Sequence, residues 1–100
     1  MKKDLLQSLP NVGEVTARKL RALGITTPEQ FLAKNPYKVF ADLLEKVDPT
    51  LCRCALGAII GAHQGKKWNL VRAEASREFE RRFPAQAAAF GFTGSHKKKC

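Results

Sequence analysis

Apolar residues along this chain recur at spacings of three and four, and almost nowhere do they alternate with polar residues over the length of a strand. That period predicts helices throughout. Val12, Thr16, Leu20 and Leu23 fall on one stripe while Arg18, Lys19 and Arg21 fall off it. An amphipathic helix is therefore expected over 14–23, closed by Gly24 in a left-handed cap. Between 49 and 64 the apolar positions run almost all round, with Leu51, Ala55, Ala58, Ile59 and Ala62 on one side and Leu56 and Ile60 on another. A helix of that kind belongs at the centre of a fold. Gly57 and Gly61 sit four apart in it. Each costs about 1 kcal/mol of helix propensity and lets a neighbouring helix come close. Over 70–83, Val71, Ala75, Phe79 and Phe83 face inward. The outer face mixes Glu74, Glu78 and Glu80 with Arg77, Arg81 and Arg82, and places Glu78 and Arg82 at a favourable spacing.

Start signals set the boundaries. Thr27, Asn35 and Asp48 each precede a proline, which pairs a capping side chain with a residue suited to the first helical position. Thr27 with Gln30 fits a capping box, and Asn69 is a candidate cap for the last helix. The further helices are expected at 3–9, 28–33 and 36–46, with a tight turn at 10–13. Pro84 ends the last helix, and the Ala-, Gly- and Lys-rich segment after it reads as frayed, above all beyond Phe92. The expected fold is all-α: a compact domain of five to six helices over 1–84, then a flexible basic tail over 85–100.

The net charge of +9 points to a polyanionic partner, but its distribution matters. Lys2, Lys3, Lys97, Lys98 and Lys99 account for five of the 18 cations, leaving 13 against 9 acids and a body charge of +4. Three cysteines cannot all pair within the chain, and this usage fits a reducing compartment. The start, Met1-Lys2-Lys3-Asp4, does not read as a secretory leader, and the longest apolar run, 54–62, is too short to span a bilayer. A cytoplasmic protein without membrane association is expected.

The richest segment is Leu9-Pro10-Asn11-Val12-Gly13-Glu14, followed by Arg18 and Lys19. A tight turn at a helix start points backbone N–H groups outward, and together with the helix dipole they suit an anion such as a DNA phosphate. In this reading Asn11, Val12, Gly13 and Glu14 form the hairpin that grips the phosphate, Arg18 and Lys19 add charge, and Lys66 and Lys67 extend the contact. Such contacts give affinity without base readout. The same residues also suit a plain turn between helices.

Other candidates are weaker. Cys52, Cys54 and His63 have metal-ligand chemistry, but on one helix the two thiols point about 200° apart and His63 lies roughly 16 Å along the axis. No metal is expected, and the cysteines read as buried and structural. Trp68, between basic residues, fits a core anchor with its N–H at the surface or a contact to nucleic acid. The Lys97-Lys98-Lys99-Cys100 end does not form a prenylation box. No nucleophile–base–acid set and no cofactor-binding motif is present, so no catalytic residue or cofactor is expected.

The run Leu9-Pro10-Asn11-Val12-Gly13 with Thr16-Ala17, Leu20 and Gly24-Ile25 resembles a helix-hairpin-helix, in which a glycine usually stands where Asn11 does. Thr27-Pro28-Glu29, Asp48-Pro49 with Cys52, and the segment from Gly61 to Trp68 extend the likeness. Over about residues 5–83 the chain resembles the C-terminal domain of TfoX-type competence regulators and the related pathogenicity-locus and mitomycin-resistance small proteins. The resemblance implies a bacterial, all-helical, SAM-like domain without known enzymatic activity. The TfoX N-terminal domain has no counterpart here. Two functions follow as expectations: an accessory or regulatory protein that binds double-stranded DNA without sequence preference, or a protein-interaction module. In the second, the Gly57/Gly61 helix or the apolar segment Ala87-Ala88-Ala89-Phe90 would dock a partner or a second copy.

Overall fold

A computed structural model describes residues 5–92. A 3-10 turn, Leu5–Ser8, leads into helices α1 (Glu14–Ala22), α2 (Pro28–Leu32), α3 (Pro36–Lys46), α4 (Arg53–Gln64), α5 (Trp68–Arg82) and α6 (Pro84–Ala89). Among the described residues there is no strand.

The caps explain most boundaries. The Thr27 hydroxyl accepts from the Gln30 amide at 3.2 Å, and the Asn35 carboxamide oxygen accepts from the Tyr37 amide at 2.9 Å. Each fixes the start of a helix whose first residue is proline. Gly24, at φ 84°, closes α1 while the Ile25 amide bonds the Leu20 carbonyl at 3.1 Å. This is the paired-bond, left-handed ending expected of a glycine just past a helix.

Three boundaries differ from the sequence expectation. Among the described residues the first helix is a single 3-10 turn, Leu5–Ser8, because Pro10 disfavours helical geometry in the residue before it. Asp48 does not start α4. Its carboxylate accepts from the Thr50 amide and from Lys19, and the helix begins only at Arg53. Asn69 does not cap α5, which opens at Trp68. The Trp68 amide instead donates to the side-chain oxygen of Asn11 at 3.1 Å.

Helix α4 is central, with Leu56, Ile59, Ile60 and Ala62 all buried, and its main neighbour is α5. A Cβ built on Gly57 would lie 2.7 Å from the Trp68 carbonyl oxygen and 3.3 Å from the Arg72 Cα. The glycines thus serve packing inside the chain, and the face that an interaction module would offer a partner is covered by α5.

The core also passes residue 84. Ala87 is fully buried, and Phe92, 1% exposed, packs edge-to-face on Phe40 and Phe79 with ring centroids at 5.6 and 5.4 Å. Helix α6 and the turn after it therefore belong to the folded body. Of the apolar segment 87–90, Ala87 is spent in the core and Phe90 is half-buried. The basic end, 97–100, lies outside the described residues.

Candidate nucleic-acid interface

The turn before α1 is shaped by Asn11. It is the only described non-glycine residue with positive φ, at 65°, a conformation that asparagine tolerates better than most side chains. Its carboxamide nitrogen donates to the Lys66 carbonyl at 2.7 Å, while its oxygen accepts from the Trp68 amide. One side chain thus clamps the turn at 10–13 to the α4–α5 turn across more than fifty residues of sequence. Gly61 makes room for it: a Cβ there would meet the Lys66 carbonyl oxygen at 2.5 Å and the Asn11 carboxamide nitrogen at 2.6 Å.

The clamp brings together residues that are distant in sequence. Gly13 is exposed, and a Cβ on it would have no neighbour within 4 Å. It precedes α1 with extended backbone and no side-chain cap. The first-turn amides, Glu14 among them, have no partner inside the helix, which leaves them for solvent or an anion. The Val12 amide is already taken by the Leu9 carbonyl at 3.3 Å, and the Val12 side chain is buried. Arg18, Lys66 and Lys67 are exposed and form no ion pair among the described residues. Arg18 stands one helical turn after Glu14, where its charge offsets that carboxylate.

Lys19 has a different role. Its ammonium pairs with Asp48 at 2.6 Å, half-buried, tying α1 to the loop before α4. Lys19 and the hydroxyl and amide of Thr50 hold the Asp48 carboxyl well below the usual carboxylate range. Glu78, hydrogen-bonded to Arg81 and Arg82, is lowered to about 2. A depressed folded-state pKa contributes stability that is complete above the unfolded value of about 4 and lost as pH falls through the folded one. The melting temperature is therefore expected to stay level from neutral pH to about pH 5 and to drop below about pH 4. Asp48→Asn should lower it at pH 7 and shrink that drop, which a pH series of thermal melts reads directly.

Trp68 is not a core anchor. It is 38% exposed, and the Arg72 guanidinium lies 5.7 Å from the centroid of its ring. Its exposure had no signal in the sequence, because the period of α5 alone does not say what covers its first turn. The remaining candidates are placed as follows. The His63 Nε2 is 3.2 Å from the Leu32 carbonyl, and the ring meets Phe31 edge-on. Cys52 and Cys54 are half-buried rather than buried. Among the described residues no group of three His, Cys, Asp or Glu side chains could hold a metal ion, and no helix is long and apolar enough to cross a membrane.

A family model described as Cdd1, pathogenicity locus, matches residues 2–70. The chain belongs to the pathogenicity-locus family. The match takes in the turn at 10–13, the Lys19–Asp48 tie, all of α4 and the start of α5, so the clamp and the basic turn it holds lie wholly inside the matched segment. No curated protein and no solved structure matches the chain.

Proposed function

We propose that this pathogenicity-locus protein is a non-sequence-specific DNA-binding accessory or regulatory protein whose hairpin backbone receives a phosphate. The observation that carries the reading is the Asn11 clamp, which holds the exposed Lys66-Lys67 turn against the uncapped start of α1. Two sources of positive potential, backbone amides and unpaired lysines, are thereby fixed side by side before any ligand arrives. The amides of Gly13 and Glu14 face the phosphate, with Arg18, Lys66 and Lys67 around it. Lys19 acts through the fold, and Asn11 shapes the loop. The reading keeps the helix-hairpin-helix likeness in function while its first arm is a 3-10 turn, and the link to TfoX-type competence regulators and to mitomycin resistance rests on the sequence resemblance.

Gly13→Val tests it. The site has open space and ordinary extended φ (−97°), so the fold accepts the side chain, which then crowds the amides. Duplex binding is expected to weaken about tenfold or more, with the helical circular dichroism and melting temperature nearly unchanged. Unaltered affinity in a well-folded variant would remove the hairpin from the site.

A further inference from the structure

The backbone of Trp68 is fixed on both sides while its side chain stays exposed. Its amide is fixed by Asn11, and its carbonyl is seated against Gly57, where any Cβ would lie 2.7 Å away. Arg72, one turn on, sets its guanidinium over the ring. Two helix-weakening glycines and an asparagine at positive φ thus fix the backbone beneath a large aromatic that is more than a third exposed. The residues just before it are the unpaired Lys66 and Lys67, and the first turn of α5 carries no acid. Leu70, 72% exposed, follows two residues later.

An aromatic plane among cations matches a polyanion that carries flat apolar groups. In an intact duplex the base faces are stacked inside, and only phosphates, sugars and base edges reach a surface of this kind. An unpaired base is free to turn out of the strand's own stack and onto an aromatic, and such stacking is insensitive to base identity. The hairpin amides are close, since Gly13 follows Asn11 by two residues, about 7 Å of chain at most. A phosphate on the α1 amides would therefore put the neighbouring nucleotides within reach of the ring.

Building on the DNA reading above, we propose that the preferred ligand is DNA with unpaired bases, one of which stacks on Trp68 while an adjacent phosphate sits on the hairpin. Trp68 is the ligand-contacting residue that separates single-stranded from duplex DNA, and Asn11 and Gly57 are its positioning residues.

Trp68 is the single tryptophan of the chain, so its emission reports the contact directly. The full chain is titrated with a fluorescein-labelled oligothymidylate, an abasic strand of equal length, and a duplex. Anisotropy is followed with labelled strands and indole emission with unlabelled ones. The oligothymidylate is expected to bind tightest and to quench Trp68, whereas the abasic strand and the duplex leave the emission nearly unchanged. Trp68→Leu should weaken oligothymidylate binding roughly tenfold and leave the other two probes as they were, with Trp68→Tyr restoring most of the loss. Quenching in the unmodified chain needs no variant, so a poorly folded Trp68→Leu would not decide the question. Equal affinity for all three probes with no quenching would overturn the base-stacking role while the phosphate reading stands. No anisotropy change with any probe would overturn both.

Discussion

Phe92→Ala is expected to destabilise the protein by about 3–5 kcal/mol, the usual cost of emptying a phenyl-sized site in a core. Phe92 is 1% exposed and sits in a mutual edge-to-face cluster with Phe40 and Phe79, whose own ring centroids are 5.3 Å apart. Such pairs add to simple burial, so the value should fall in the upper half of that range. For a chain of this size it amounts to a drop in melting temperature of 15 °C or more, at roughly 4–8 °C per kcal/mol. Phe90→Ala, at a half-buried neighbour, serves as the comparison and should cost much less. A Phe92→Ala protein that melts like the unmodified chain would show that the core stops at α5.

Gly61→Val carries the second large effect. The new Cβ would stand 2.5 Å from the Lys66 carbonyl oxygen and 2.6 Å from the Asn11 side chain. The first of these is backbone and cannot swing aside. Relief requires α4 to move away from the turn that follows it, and that breaks both bonds of the Asn11 clamp. Overpacking of this kind costs about 1–3 kcal/mol, and each lost hydrogen bond adds about 1 kcal/mol. The gain in helix propensity over glycine returns only part of this. With two bonds lost, a net loss of about 3–5 kcal/mol is expected by denaturant unfolding. Gly13→Val is the contrast, because its Cβ meets nothing within 4 Å. If Gly61→Val and Gly13→Val unfold at the same denaturant concentration, the clamp does not hold the hairpin.

Local chemistry makes much of the fold legible in the sequence. Proline after a capping residue placed the starts of α2 and α3, and apolar period identified α4 as central and Val71, Ala75 and Phe79 as the inner face of α5. Two glycines a turn apart announced a close approach, though not what approaches. Apart from the first turn, which Pro10 shortens locally, the misreadings involve a group that takes a partner far away in sequence. Asp48 precedes a proline like the other caps, yet Lys19 and Thr50 claim its carboxylate. Phe92 follows a run of small residues that reads as a tail, and only Phe40 and Phe79 give it a place in the core.

The site shows the same division. Exposed amides at Gly13 and Glu14 follow from the turn chemistry of 10–13, and Lys66 and Lys67 were visible as cations after a helix. That they lie beside the turn at 10–13 depends on Asn11, whose departure from the usual glycine reads as an irregularity in the sequence. In the structure it is what joins the two halves. Lys19 has the composition of a phosphate ligand, and its ion pair gives it another task.

The central claim, that the folded body contacts phosphates at the hairpin, is tested most directly by duplex-DNA binding across a salt series. The full chain would carry Lys97, Lys98 and Lys99 replaced by glutamine, so that charge at the C-terminal end plays no part. Arg18, Lys66 and Lys67 predict micromolar or tighter binding at low salt and a log–log slope of about −3, near 0.9 for each phosphate neutralised. No binding at low salt, or a slope near zero, would contradict the account.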